Sequence, residues 1–163
     1  MNVKNHSCEI PIPTNDGQFM ARYSEKGLAS LNFPVGRASP RAAKKEIVPS
    51  KIRAWHRTAE TALKNILAGR KPKNLPPLDL AGTAFQKSVW NALRKIAFGK
   101  TKSYGEIAQA IGRPKAVRGA CGANPVPVLV PCHRVLAANK KLGGFFGGLD
   151  WKRSLLMREG IKF

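Results

Sequence analysis

The chain has 163 residues, 43% of them apolar, which suffices for one ordinary domain or two small ones and argues against disorder throughout. A formal charge of +20, from 29 Lys and Arg against 9 Asp and Glu, points to a polyanionic partner. No apolar stretch approaches the length of a membrane-spanning helix, and Met1 to Pro13 lacks a signal-peptide core, so no membrane partner and a cytoplasmic location are expected.

Between Gln18 and Pro34, the runs Phe19–Tyr23 and Leu28–Phe33 flank Ser24-Glu25-Lys26-Gly27 and predict a β-hairpin. Residues 36–49, rich in Lys, Arg, Ala and Pro without a clear period, read as a solvated connection. Ile52, Trp55, Ala59, Leu63 and Ile66 then fall at helical spacing after a Ser50 cap, and Gly69 closes the helix. Lys71 to Pro77, with three prolines, predicts an extended linker. The expected domains are therefore 1–77, with hairpin and helix, and 78–163.

The second half carries sharper local signals. Thr83 and Gln86 form a capping-box pattern ahead of Phe85, Val89, Leu93 and Ile96 on one helical face, with Gly99 as the stop. Ser103 and Glu106 repeat the pattern, Ile107, Ala108 and Ile111 supply the apolar stripe, and Gly112 ends the segment. After Gly112-Arg113-Pro114, the stretch Lys115 to Gly122 is small, basic and compatible with a helix. Two short helices joined by a tight turn outline a helix-turn-helix, although many helical hairpins share that outline without touching DNA. From Lys100 to Phe163 there are 12 Lys and Arg against 3 acids, which favours the DNA reading. The fold class expected is α+β: a small strand-rich N-terminal domain, then a mainly helical C-terminal domain with the helix-turn-helix.

Val126 to Val130 reads as a buried strand that ends at Pro131-Cys132-His133-Arg134-Val135, with a glycine-rich stretch, Gly143 to Gly148, beyond. A thiolate is the attacking form of cysteine, and an adjacent base makes it more accessible. His133 could take the thiol proton, directly or through a water. Neighbours on a strand face opposite ways, so the two can cooperate only if the strand breaks into a turn, as Pro131 allows. The alternative is a buried structural cysteine beside a surface histidine. Cys8, Cys121 and Cys132 show no CxxC pairing, and their odd number argues against a disulfide framework and fits a reducing compartment. His6 and Cys8, near a terminus read as mobile, fall short of a four-ligand zinc site, so no metal is expected. Cys121 reads as a packing residue.

These residues resemble the O6-alkylguanine-DNA alkyltransferases, also called methylated-DNA-protein-cysteine methyltransferases. The resemblance runs from about Leu78 to Gly160 through Gly82–Gln86, Ser103–Ala108, Asn124–Pro127, Pro131–Val135, Gly147–Leu149 and Arg158-Glu159-Gly160; residues before Leu78 match only in outline. It implies a monomeric DNA repair protein without cofactor, whose partner is double-stranded DNA containing alkylated guanine, with association to the nucleoid when DNA is bound. The protein would flip O6-alkylguanine out of the duplex and move the alkyl group onto its own cysteine once and irreversibly, with O4-alkylthymine as a further candidate substrate. By resemblance Cys132 is the nucleophile, His133 the base acting through water, and Glu159 the carboxylate that orients the histidine. Tyr104 donates to the flipped base, Asn124 ties the recognition helix to the cysteine segment, Arg134 joins the DNA- and base-binding set, and backbone groups of Val135 and Phe146 meet guanine edges.

Tyr104 and Asn124 stand about three residues closer together than is typical of the family, so the recognition helix or its turn is shortened by nearly one helical turn. Two residues then compete to fill the gap left by the flipped base. Counting from Tyr104 selects Arg118 and counting from Asn124 selects Lys115; Arg118 is preferred because a planar guanidinium can stack and donate there. Phe145 and Phe146 stand where some relatives have a tyrosine and a small residue, which predicts a narrower or differently shaped pocket with apolar walls. A relative that senses damage without reacting would lack the cysteine, so Cys132 separates the two readings. A Cys-His hydrolase would leave the charge of +20 without a purpose.

Overall fold

The computed structural model describes residues 7–36, 47–113 and 116–163. Three antiparallel strands open the chain: β1 (Cys8–Thr14), β2 (Gly17–Tyr23) and β3 (Leu28–Asn32), in that spatial order. The predicted hairpin is β2–β3. Alternation along β2 buries Phe19, Ala21 and Tyr23 on one face, where they join Ile12 of β1 and Leu28 and Leu31 of β3. β1 is a strand where the sequence suggested a mobile end. Pro11 and Pro13 speak against a strand in general, yet β1 is an edge strand, where a missing N–H is tolerated. Its turn is Asn15-Asp16, closed by Gly17 at φ 117°, a residue pattern that itself favours a hairpin. Cys8 is buried in this strand, and His6 lies outside the described residues.

Helix α1 (Ser50–Leu67) follows the predicted stripe and buries Ile52, Ala59, Leu63 and Ile66. Ser50 is not its cap: Pro49 holds that position, and no side chain caps the helix. Gly69, at φ 72°, closes it as expected. Much of the connection read over 36–49 lies outside the described residues. The segment after α1 is irregular, and its far end extends the sheet: Leu28 N–H donates to the Pro77 carbonyl at 2.8 Å, and Asp79 N–H to the Leu28 carbonyl at 2.9 Å. Leu31 N–H reaches the Pro125 carbonyl at 2.9 Å, so β3 is bonded directly to the segment that leads to the cysteine.

Helix α2 (Ala84–Arg94) begins with the reciprocal Thr83–Gln86 box, but it ends at Arg94, ahead of the predicted Gly99 stop. Ile96 is buried beyond the helix. Strand β4 (Lys102–Ser103) leads into α3 (Tyr104–Ile111), which has the Ser103–Glu106 box and a left-handed Gly112 at its end. Helix α4 (Val117–Gly122) has six residues. The buried Trp90 of α2 donates from Nε1 to the Ala120 carbonyl at 2.8 Å and fixes α2 against α4. Strand β5 (Val135–Leu136) pairs in parallel with β4, and α5 (Leu149–Arg158) closes the fold. One apolar cluster includes residues of the sheet, α1, α2, α3, α4 and α5. The class is α+β, with strands first and helices after. Among the described residues, no helix is long and apolar enough to cross a membrane.

Candidate active site

Val126, Val128, Leu129 and Val130 are buried as predicted, but they form a tight turn instead of a strand. Val130 N–H bonds back to the Val126 carbonyl at 2.9 Å, and Val128 sits at φ 73°. That conformation is rare for a β-branched residue and survives only where its surroundings enforce it. Asn124 is one enforcer: its Nδ2 donates to the Val130 carbonyl at 2.8 Å, and its Oδ1 accepts from Val126 N–H at 3.0 Å. Asn124 thus joins the end of α4 to the turn before Cys132.

Beyond Pro131, Cys132–Arg134 make one turn of 3₁₀ helix, which provides the break that cooperation between Cys132 and His133 requires. Cys132 faces a cavity of about 190 Å³ that is lined also by Tyr104, Arg118, Cys121, Gly122, Gly144, Phe145 and Phe146. The volume is small beside the roughly 300–1,000 Å³ of drug-sized ligand sites. His133 is fully buried and shares its Nε2 hydrogen with Glu159 Oε1 at 2.8 Å. Its Nδ1 is the one buried side-chain nitrogen or oxygen without a protein partner among the described residues. With Nε2 bound to a carboxylate, the neutral ring carries its proton on Nε2 and offers Nδ1 as an acceptor.

Electrostatics alters the expected state of the thiol. Burial pushes Cys132 up, while a hydrogen bond from Asn124, the nearby Lys152 ammonium and backbone N–H groups pull against it; the resting group is a thiol. Burial pushes His133 down against the pull of Glu159, so the imidazole is neutral and able to accept a proton. Burial would raise Glu159, but hydrogen bonds from His133, Arg134 and Gly99 N–H hold it at about 2.

Arg134 is a correction. Expected among the groups that bind DNA and base, it is buried under the site, donating from Nε and Nη2 to Glu159 at 2.9 and 3.0 Å and from Nη1 to the Ile96 carbonyl at 2.8 Å. Its guanidinium is used inside the protein.

Tyr104 opens α3 and reaches the Gly144 carbonyl through its hydroxyl at 3.5 Å. The Arg118 guanidinium lies 4.9 Å from the centre of the Tyr104 ring, a cation–π arrangement at the cavity wall. Lys115 lies outside the described residues. Phe145 packs edge-on against Phe33, with centroids 5.7 Å apart, whereas Phe146 is 85% exposed at the rim. Val135 is buried in β5, and its carbonyl accepts from Lys152 Nζ at 2.6 Å.

Two residues gain importance from the structure. Lys152 is fully buried, bonds the Gly144 carbonyl at 3.3 Å as well, and is lowered to about 8 by burial, against the attraction of Cys132 and Cys121. Its signal in the sequence is spacing, because Lys152, Leu155 and Leu156 share one buried helical face. Cys121, read as packing, also lines the cavity, and burial raises its thiol to about 12.

Residues 84–161 match the family description "6-O-methylguanine DNA methyltransferase, DNA binding domain". The methylated-DNA–protein-cysteine methyltransferase of Methanosarcina acetivorans is 43% identical over 158 residues, covering 93% of this chain and 95% of that protein. This chain belongs to the methylated-DNA–protein-cysteine methyltransferase family. The methyltransferase of Haemophilus influenzae is 50% identical over 90 residues, about half of each chain. Among solved structures, Mycobacterium tuberculosis OGT in complex with DNA superposes with a TM-score of 0.72 at 36% identity, over 94% of this chain and 91% of that one. The methyltransferase family is thus matched across both halves of the chain, including the strands for which the sequence offered no sharp motif.

Proposed function

We infer that this protein repairs DNA by taking the alkyl group from O6-alkylguanine onto Cys132, in one irreversible turnover per molecule. The observation that carries the reading is the juxtaposition of Cys132 at a base-sized cavity with the His133–Glu159 pair at 2.8 Å behind it, in a chain of this family. DNA is the partner: α3 and α4 form the helix-turn-helix, and the charge of +20 favours phosphate. The alkyl carbon on guanine O6 lies within the base stack, so the base must be flipped out, at a cost of a few kcal/mol.

The chemistry follows from the resting states. His133 Nδ1 receives the Cys132 proton through a water, and Glu159 stabilises the imidazolium that forms. The sulfur attacks the alkyl carbon, the C–O bond breaks, and its electron pair stays on guanine. The Tyr104 hydroxyl donates to the departing base as negative charge grows there, the stage at which a hydrogen bond accelerates reaction. Sulfur keeps the alkyl group as a thioether, a poor leaving group, so the protein is consumed. The Arg118 side chain, which stands 4.9 Å from the centre of the Tyr104 ring at the cavity wall, fills the gap in the duplex.

The test is peptide mass mapping after the protein is mixed with a duplex containing O6-methylguanine. The peptide spanning Gly119 to Arg134 gains one methylene equivalent, fragmentation places it on Cys132 and not on Cys121, and the peptide carrying Cys8 stays unchanged. Multiple lesions cleared per molecule, or modification elsewhere, would reject the reading. For Arg118→Ala, transfer from duplex falls by about tenfold relative to transfer from free base, a loss of about 1.4 kcal/mol in duplex selectivity. An unchanged ratio assigns gap filling to another residue.

A further inference from the structure

Within Arg158-Glu159-Gly160 only Glu159 has a role in the site. Arg158 turns the other way, toward the first half of the chain. Its Nη1 and Nη2 donate to the two carboxylate oxygens of Asp16 at 2.8 and 2.6 Å, Nη1 also donates to the Leu67 carbonyl at 2.9 Å, and Nε donates to Ser154 Oγ at 3.0 Å. The paired, forked geometry fixes direction as well as distance. The backbone is held too: a Cβ added at Gly69 would lie 2.5 Å from the Arg158 carbonyl oxygen, so the end of α5 sits directly on the end of α1. Asp16 belongs to the β1–β2 turn, whose Thr14 hydroxyl donates to the Gly17 carbonyl at 2.7 Å and accepts from Asp16 N–H at 3.1 Å.

Glu159 is the next residue along and the last before Gly160 turns the chain. Its N–H still bonds to the Leu155 carbonyl at 3.1 Å, so its carboxylate is aimed by the end of α5. That carboxylate meets His133, Arg134 and Gly99 N–H at 2.8 to 3.0 Å. Whether it meets all three therefore depends on where the end of α5 is held.

We propose that Asp16 and Arg158 form a latch between the N-terminal sheet and the reactive half, and that both are positioning residues that hold Glu159 against His133. The inference rests on the proposed roles of Cys132, His133 and Glu159. It assigns the strand-rich half a part in alkyl transfer itself. The pair is about one quarter exposed, so solvent screens it, and its effect belongs in geometry more than in stability. Small displacements of a catalytic group are costly in rate.

The experiment measures the single-turnover rate constant at saturating O6-methylguanine duplex, and the dissociation constant for that duplex, for the wild type, Asp16→Ala, Arg158→Gln, the double variant and Asp16→Glu. Asp16→Ala and Arg158→Gln should each slow transfer by about tenfold with DNA affinity within about twofold of wild type. The double variant should be no slower than the slower single one, and Asp16→Glu should recover most of the rate. Wild-type rates in Asp16→Ala, independent multiplying losses in the double variant, or affinity falling in step with rate would each overturn the latch. Asp16 lies in a surface turn, so its two variants carry the test if Arg158→Gln does not fold. A wild type that modifies no Cys132 would overturn the functional reading and the latch together. A reactive wild type matched by Asp16→Ala would overturn the latch alone.

Discussion

Glu159→Gln should slow alkyl transfer by about 10²–10⁴-fold, the range spanned by loss of general-base assistance. The neutral amide still accepts a hydrogen bond from His133 Nε2, but it no longer supplies the charge that stabilises the imidazolium when Nδ1 takes the thiol proton. Burial then lowers the imidazole unopposed, and a weaker base faces a thiol that burial has already raised. Stability changes with a definite sign. Glu159 is held at about 2 against an ordinary 4.5, so its contribution of roughly 3 kcal/mol is present above pH 4.5 and is lost as pH falls toward 2. The Gln variant should lack that acid limb. It should also be less stable at neutral pH by about 3–5 kcal/mol, because the Arg134 guanidinium stays buried without its counter-ion. Rapid-quench transfer assays, with urea unfolding from pH 2 to 7, would measure both effects. A wild-type rate in a folded Gln variant would remove Glu159 from the mechanism.

Local signals were read where their energetics are local. The two capping boxes, Thr83–Gln86 and Ser103–Glu106, need only residues three apart, and both are formed. The β2–β3 hairpin likewise follows from alternation and Gly27. Features set by tertiary context were missed. Pro11 and Pro13 disguise β1, which is a strand because it lies at an edge. Apolar continuity from Val126 to Val130 suggested a strand, whereas Asn124 bends that run into a turn through hydrogen bonds to residues two and six positions on, a local signal that the apolar run outweighed. Arg134 was expected on DNA, yet its guanidinium is enclosed by the Ile96 carbonyl and Glu159; Lys152, which drew no expectation, is enclosed by carbonyls. Of the site, Cys132, His133 and Glu159 were legible by resemblance; the structure joins His133 to Glu159 at 2.8 Å and sets Cys132 on the cavity wall. Cys121 as a cavity wall follows only from where α4 packs.

Lys152→Met should uncouple reactivity from stability. An ammonium lowered from 10.5 to about 8 is one that the folded state finds costly to keep charged, mostly through burial. Between those values the unfolded chain binds more protons than the folded one, so wild-type stability should rise as pH increases from about 8 to 10.5. Methionine removes that dependence. Its stability near neutral pH should lie within about 2 kcal/mol of wild type, since relief of the buried charge is offset by the Val135 and Gly144 carbonyls that lose a donor. Reactivity should respond far more. Lys152 lowers the Cys132 thiol, and its loss leaves burial with less opposition. A neighbouring opposite charge favours the ionised form of a thiol, so the thiolate fraction and the transfer rate should both fall, by about tenfold or more. Lys152→Arg keeps the charge but places a larger planar head in a fully enclosed space, and should recover only part of the rate. Titration of Cys132 by thiolate absorbance, together with single-turnover rates, separates the cases. A slow Lys152→Met variant with an unmoved thiol titration would show that the lysine acts by holding the Val135 and Gly144 backbone instead of through its charge.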